Sequence, residues 1–466
     1  MELLLTLARE EGREPLHAQL ERQLRDAIRS GRLATGKRLP ATRVLAGELD
    51  VSRGVVVEAY AQLTAEGYLV TRRGAGTVVA AAGRPAHVPP PPPHPRAVPE
   101  DFHPGTPDLA SFPRGAWLRS LRTVLREAPH DALGYADPAG TPELRQALAR
   151  YLGRARGVAV ESDRVLVTSG LTQGVALACR ALRRRGARRI AVEDPGFMVH
   201  REVAAHCGLE VVPVPVDTHG LVTDALADVD ADVALVTPAH QMPRGSVLAP
   251  ARRAALLAWA EAHAAYVIED DYDAEYRYDR EPVGALQGLA PERVIYAGCA
   301  SKVLAPSLRL GWLVLPQALA RHVAMEKTLD DLGTAALDQL ALADFLERGE
   351  LDRHLRRMRP RYRSRRDALI AALARELPSW RVGDGIAAGL HVVALLPEAV
   401  DEAAFLVSAA ERQMRLHGLS WFRVNPTPPN PSPPALVLGF GSASEPALAR
   451  AVGQLAHVAA AVPGAA

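Results

Sequence analysis

The stretch "YAGCASKVLAPSLRLGW", residues 296–312, decides how the larger part of this chain is read. A short apolar run breaks at Ala300-Ser301-Lys302, and a second apolar run begins after Arg309. The lysine stands out. The chain holds 55 basic residues, of which only Lys37, Lys302 and Lys327 are lysine and 52 are arginine. A surface charge or salt bridge accepts Arg readily. A Schiff base does not, because it needs a primary amine able to lose its proton, and a guanidinium stays protonated. Lys302 is therefore a candidate for carbonyl chemistry, provided its neighbours supply a pocket for an aldehyde.

From about residue 101 onward, short apolar segments alternate with Ala/Leu/Arg-rich ones. Strands are expected at 164–169, 189–194, 233–238, 266–271 and 293–298, and a helix over 250–264. This alternation predicts an α/β domain whose mostly parallel sheet is covered on both faces, with ligands at the carboxyl ends of the strands. The unusual residues fall at those ends. Ser169-Gly170 closes one strand and Leu171-Thr172-Gln173 opens a helix, where unpaired N–H groups favour a phosphate. Pro195-Gly196 turns the chain and presents Phe197, either a core aromatic or a ring that stacks on a flat cofactor. Asp270 and Tyr272 leave a third strand in "IEDDYDAEYRY", with no His close by in sequence to suggest a metal. Ser301 and Lys302 leave the fourth, and Arg309 returns before the next strand. A phosphate turn, a carboxylate for a pyridine nitrogen and an amine for an aldehyde together match what pyridoxal 5'-phosphate demands. No metal site is expected.

Upstream, the composition breaks sharply at 80–100, "AAAGRPAHVPPPPPHPRAVPE", where Pro89 to Pro93 are consecutive. Such a run favours an extended, semi-rigid spacer. It divides the chain into an N-terminal domain (13–79), a linker (80–100) and an effector domain (101–460). Residues 13–79 hold 11 Lys/Arg against 7 Asp/Glu, a local basic excess within a chain whose net charge is only +2. In "PLHAQLERQLRDAIRSGRL", Leu16, Leu20, Leu24 and Ile28 form one helical stripe stopped by Gly31. A second helix is expected from about Thr42 to Leu49, with a turn at Asp50-Val51. Ser52 then caps a third helix, whose Val55, Ala59 and Leu63 point inward and which Gly67 ends. "YLVTRRGAGTVV" reads as two strands around a Gly-rich tip. That order is a winged helix-turn-helix. The third helix would enter a major groove by Ser52 and Arg53, with Arg72, Arg73 and the Gly74-to-Thr77 tip along the backbone.

Three scattered cysteines, Cys179, Cys207 and Cys299, form neither a disulfide framework nor a zinc pattern. The N-terminal "MELLLTLAREEGR" does not read as a secretory signal, and no run is long and apolar enough for a membrane span. A cytoplasmic protein is the expectation.

Residues 15–79, "PLHAQLERQLRDAIRSGRLATGKRLPATRVLAGELDVSRGVVVEAYAQLTAEGYLVTRRGAGTVV", closely resemble the GntR-type DNA-binding domain over its whole length. By that resemblance Arg43, Ser52, Arg53 and Gly76 fall on DNA-contact positions, while Ala41 replaces a usual Ser and Gly54-Val55 a usual variable-Thr pair. The rest resembles fold-type-I aminotransferases, with a smaller C-terminal α+β subdomain. Ser169-Gly170, Phe197, Asp270, Tyr272, Lys302 and Arg309 occur in that family's chain order. The combination resembles the MocR subfamily of bacterial regulators, which includes regulators of vitamin B6 and 4-aminobutyrate metabolism.

The resemblance implies that Lys302 forms the internal aldimine, Asp270 pairs with the pyridinium and Tyr272 bonds the ring hydroxyl oxygen. Arg309, Ser301 and the Gly170-Leu171-Thr172 turn would hold the phosphate, and Phe197 would stack on the ring. Tyr135, in "LGYADPAGTPELRQAL", matches a tyrosine that reaches the phosphate of the neighbouring subunit, which implies a homodimer. Where aminotransferases read "N-P-T-G", this chain reads "PAHQMPRG", with Met242 at the Asn position and His240 or Gln241 as substitutes. No Arg introduces the late strand "PPALVLGFG" (433–441), where aminotransferases clamp a substrate carboxylate. Arg423 is the nearest candidate. Val199 stands where regulators of 4-aminobutyrate use carry another Arg. The expectation is a dimeric regulator of a double-stranded operator, responding to the cofactor itself or to a small amine. The competing reading is a working aminotransferase with an appended DNA module.

Overall fold

The computed structural model describes residues 5–8, 14–72, 76–80, 100–135, 137–279, 283–424 and 433–465, and the chain divides into two units, Met1–Arg96 and Ala97–Ala466. Nearly all of the proline-rich stretch lies outside the described residues, as do Arg73, Gly74 and Ala75 and the side chain of Arg72.

The first unit is built on apolar stripes. Helix α1 (Leu16–Arg29) buries Leu20, Leu24 and Ile28, while Leu16 at its start is only partly covered. Helices α2 (Thr42–Glu48) and α3 (Arg53–Ala65) follow, joined through Asp50 and Val51. On α3 the buried set is Val56, Ala59, Tyr60 and Leu63, an i, i+3, i+4, i+7 stripe. This corrects the expected inward Val55: the stripe is centred on Val56 and Tyr60, so Val55 sits at its border and is half-buried. Leu20, Leu24, Val56 and Leu63 are fully enclosed, each contributing roughly 1.5–3 kcal/mol by leaving water. Ser52 occupies the N-cap position of α3, yet its side chain makes no capping hydrogen bond and is exposed. Strands β1 (Leu69–Arg72) and β2 (Gly76–Val79) pair antiparallel from Leu69↔Val79 to Arg72↔Gly76, and Arg38 adds a single bridge to Val78.

The second unit opens with the short strand β3 (Glu100–Asp101) and helices α4 (Arg114–Glu127) and α5 (Pro142–Arg156). Its central sheet holds β4 (Val165–Thr168), β5 (Arg189–Asp194), β6 (Glu210–Asp217), β7 (Gly220–Leu221), β8 (Val233–Val236), β9 (Tyr266–Asp271), β10 (Val294–Cys299) and β11 (Gly311–Val314). The spatial order is β4-β11-β10-β9-β8-β5-β6-β7. Helices α6 (Leu171–Arg184), α7 (Met198–His206), α8 (Thr223–Ala227) and α9 (Pro250–Ala262) connect the strands. The five strands expected from the apolar runs are all in this sheet. They read as continuous apolar runs because both faces are covered. On β9, Ile268 packs in a cluster with Val175 and Ile295, while Val267 packs on the other side with Leu256 and Trp259.

Helices α10 (Gln317–Asp331), α11 (Ala336–Glu347) and the 27-residue α12 (Glu350–Glu376) lead to the smaller subdomain. There β12 (Arg381–Val382) and β13 (His391–Leu395) precede α13 (Glu402–Glu411), β14 (Met414–Arg415), β15 (His417–Gly418), β16 (Ala435–Gly439) and α14 (Glu445–Ala461). The strands form an antiparallel β12-β13-β16-β15 sheet, and β14 pairs with β3. No helix among the described residues is long and apolar enough to cross a membrane.

Strand direction locates the site. β10, β9, β8 and β5 pair parallel in succession, and β11 is antiparallel to both β10 and β4, so β4 runs with the parallel set. Their carboxyl ends therefore share one edge of the sheet.

Candidate functional site

The loops that follow β4, β5, β8, β9 and β10 meet at that edge. After β4, Gly170 (φ 92°, ψ 165°) is the N-cap of α6 and offers no side-chain cap, leaving the first-turn N–H groups of Leu171 and Thr172 without side-chain acceptors from the cap. Arg309, entering β11, donates from Nη2 to the Ser169 carbonyl at 2.8 Å. A Cβ on Gly170 would stand 2.5 Å from the same Nη2, so glycine is what lets the guanidinium close over this turn. Bare amides at a helix start beside an arginine form an oxyanion cradle.

Near the end of β9, Asp270 is buried, and its Oδ2 lies 3.1 Å from His200 Nδ1. Its Oδ1 is buried without a hydrogen-bond partner among the described residues. An unpartnered buried carboxylate oxygen is costly unless a donor is brought to it. Phe197 stands just before α7 and packs edge-to-face on His200, the ring centroids 4.9 Å apart. The acceptor and the aromatic therefore lie around the same imidazole.

Tyr272 Oη lies 3.1 Å from His240 Nδ1 and 3.8 Å from Met242 Sδ. His240 Nδ1 is also 3.0 Å from Asp273 Oδ2. Burial holds the Tyr272 hydroxyl well above its ordinary range and raises Asp273, whereas the His240 and Lys302 charges pull Asp273 down. The His240/Gln241 alternative separates cleanly. Gln241 is turned away, its Nε2 donating to Glu193, Pro195 O and Met242 O, so that it pins the loop while His240 faces Tyr272. Glu193, pushed up to about 7 by burial, accepts from both Gln241 and Thr237.

Lys302 lies just past β10, half-buried as is Ser301. The backbone of Gly105 (φ 76°) passes so close that a Cβ there would be 3.1 Å from Lys302 Nζ. Tyr135 does not join this group: it is 93% exposed within the single chain. Arg423 lies close to Gly196 and Phe197 in the fold. Arg201 donates to the carbonyls of Phe422 (2.9 Å) and Arg423 (2.6 Å), and Gly196 N donates to Phe422 O. On the late strand β16, Val437 is buried in an apolar cluster with Met242, Val393 and Phe422, against which Phe197 and Tyr272 pack. The residues that lead into β16, Pro433 and Pro434, are prolines, so no guanidinium introduces the strand.

Three comparisons place the chain. The family "Bacterial regulatory proteins, gntR family" matches residues 16–79, and "Aminotransferase class I and II" matches 110–430. The chain is 36% identical over 438 residues to the pyridoxine biosynthesis transcriptional regulator PdxR of Corynebacterium glutamicum, covering 92% of this chain and 93% of that one. It is 35% identical over 430 residues to the probable rhizopine catabolism regulatory protein MocR of Rhizobium meliloti, covering 87% of each. The chain belongs to the MocR subfamily of GntR-type transcriptional regulators. Among solved structures, the α-aminoadipate aminotransferase LysN of Thermus thermophilus, complexed with N-(5'-phosphopyridoxyl)-L-leucine, superposes with a TM-score of 0.68 at 25% identity, covering 77% of this chain and 91% of that one.

This MocR-type site contains residues that sequence reasoning missed. His200 was legible in principle, three residues after Phe197 in the first turn of the helix that Phe197 caps. Gly105, Asp273 and His391 were not, because only the fold brings them to the site. His391, pushed down to about 3 by burial, packs its ring 5.2 Å from that of His240 and uses Nε2 on Pro243 O. His240, Asp273 and His391 lie close enough to be compared with a metal cluster. His240 bonds both Asp273 and Tyr272, and His391, held by Pro243 O, packs its ring on that of His240, an arrangement that scaffolds Tyr272.

Proposed function

We propose that this protein regulates transcription by binding a double-stranded operator as a homodimer through its first unit, and that its second unit holds pyridoxal 5'-phosphate as sensor. The observation that carries the cofactor reading is the unpartnered, buried Asp270 Oδ1 at the edge that also presents Lys302 and the Gly170/Arg309 cradle. When bound, pyridoxal phosphate supplies an aldehyde and a ring nitrogen that can carry a proton. Lys302 would offer the primary amine. Asp270, oriented by His200, would accept the ring N–H, and Phe197 would cover the ring. Tyr272, kept neutral by burial and steadied by His240, would donate to the ring hydroxyl oxygen. Arg309, Ser301 and the amides of Leu171 and Thr172 would hold the phosphate. Tyr135, exposed in one chain, would reach the partner subunit's phosphate.

The prolines that lead into β16, where aminotransferases carry an arginine, favour sensing over transamination, because they offer no clamp for a substrate carboxylate at that strand. Binding of cofactor, or of an amine that competes for it, would bias the arrangement of the two DNA-reading units, a coupling between distinct sites. The test is operator affinity measured on the intergenic DNA beside the gene, titrated with pyridoxal 5'-phosphate. A change in affinity is expected. Identical curves with and without cofactor would remove the sensing role.

Two substitutions examine the two ends. Arg53 and Arg43 are exposed at the starts of α3 and α2, and Arg53 Nε lies 3.4 Å from Thr42 Oγ1. Arg53→Ala is expected to cost about 1–3 kcal/mol of operator binding and much less on a scrambled duplex at the same salt, as for a residue that reads a base edge. Equal losses on both duplexes would make Arg53 a backbone contact.

At the other end, Gly170→Ala forces a side chain into a backbone region that only glycine populates freely, costing about 1–3 kcal/mol, and drives Cβ into Arg309. Cofactor affinity should fall about tenfold or more by spectroscopic titration. Unchanged affinity would show that this turn does not hold the phosphate.

A further inference from the structure

A cavity of about 320 Å³ lies in the second unit and shares no residue with the site above. Its wall is formed by Tyr151, Arg154 and Arg156 at the end of α5, by Glu275 after β9, and by Arg356 and Arg359 on α12. Its four guanidinium groups outnumber the two carboxyl groups of the same wall, Glu275 and Asp352. Two of the four are committed. Arg156 gives Nε and Nη2 to Asp271 at 2.7 and 3.1 Å, and Arg359 gives Nε to the Glu275 carbonyl at 2.8 Å. Arg154 pairs with Asp352 at 2.8 Å, but with side chains 63% and 30% exposed this bond is weak and easily exchanged. Arg356 is exposed and has no hydrogen bond or ion pair among the described residues.

The decisive atom is Arg156 Nη1. The residue is 1% exposed, and this nitrogen has no partner. Asp271 takes the Nε/Nη2 edge of the guanidinium, so Nη1 is left on the opposite side of a residue that forms part of the cavity wall. A buried, charged donor without an acceptor is costly, and the expense is relieved by an oxyanion. Arg356 and Arg359 are i and i+3 on α12 and so project from one face. Beside them the Glu275 carboxyl, pushed up to about 7 by burial, can carry a proton near neutral pH and donate rather than repel.

We propose that this cavity is a second ligand site, taking a small molecule that bears a phosphate monoester, held by Arg156 Nη1, Arg356 and Arg359. The volume lies at the lower end of the range for small-molecule pockets, about 300–1,000 Å³, and exceeds what inorganic phosphate alone would fill. Several guanidiniums from separate elements suit a tetrahedral dianion better than one planar carboxylate. The site stands independently of the cofactor reading, although Asp271, which holds Arg156, directly follows Asp270 on β9.

The test is calorimetric titration of the full chain with inorganic phosphate and with glycerol 3-phosphate, in an Arg309→Ala background that disables the other oxyanion cradle. One binding event is expected, tighter for the ester than for inorganic phosphate. Arg356→Ala, a surface change that leaves the core intact, should weaken it about tenfold or more. Arg156→Lys keeps a positive charge for Asp271 but removes the spare nitrogen, and should weaken it similarly. No binding of either probe, or binding that neither variant alters, would overturn the proposal. A nucleic-acid backbone is the other source of phosphate. If Arg356→Ala lowers affinity for a scrambled duplex but not for glycerol 3-phosphate, the arginines serve DNA and the small-molecule site is wrong.

Discussion

Lys302→Ala should abolish covalent attachment of pyridoxal phosphate, read as loss of the visible cofactor band and of the mass added after borohydride reduction. The reason lies in how few amines exist. Lys37 belongs to the first unit, and Lys327 is fully buried, with its ammonium donating to Gln173 Oε1 (3.0 Å), Asp331 Oδ2 (2.6 Å) and Thr334 Oγ1 (2.9 Å). All three of its hydrogens are taken, so Lys327 is a structural cation beneath the Ser169–Gln173 turn and not a spare nucleophile. Cofactor should still dock reversibly in the variant, because Asp270, Phe197 and the Gly170/Arg309 cradle are untouched. Operator affinity without cofactor should be unchanged, whereas its dependence on cofactor should be lost or blunted, since the contact that distinguishes the two states has gone. A surviving band would sink the assignment of Lys302. An absent band with an intact DNA response would separate the cofactor from regulation.

Asp271→Ala should destabilise the second unit by about 3–5 kcal/mol. Asp271 and Arg156 are 2% and 1% exposed at the side chain and joined by two hydrogen bonds, and Tyr296 donates a third to Asp271 Oδ2 at 2.7 Å. Removing the carboxylate strands a guanidinium that the Asp271 charge holds firmly protonated, together with a buried hydroxyl. All five tryptophans, from Trp117 to Trp421, lie in the second unit, so their fluorescence during urea unfolding reports that unit alone. A loss under about 1 kcal/mol would show that water or a side-chain rearrangement compensates the charge.

The sequence by itself determined the two-part organisation, the winged helix-turn-helix order, the five parallel strands and the residues at their ends. These are local features. Apolar periodicity tells helix from buried strand, and a strand that ends in Asp, Lys or Ser-Gly announces an unusual loop wherever that strand lies in the sheet. Even there periodicity has limited angular resolution, and it placed Val55 rather than Val56 at the centre of the third helix's stripe. Only the tertiary structure decided which side chains complete those ends. His200 reaches Asp270 from 70 residues away, His240 meets Asp273 across 33, Arg156 meets Asp271 across 115, and Gly105 crosses Lys302. The choice between His240 and Gln241 followed the direction of one loop, held by Gln241 on Glu193. Such pairings depend on strand order and on how helices cross the sheet, neither of which leaves a local period in the chain, so charges and hydrogen bonds found their partners only once packing had set the faces.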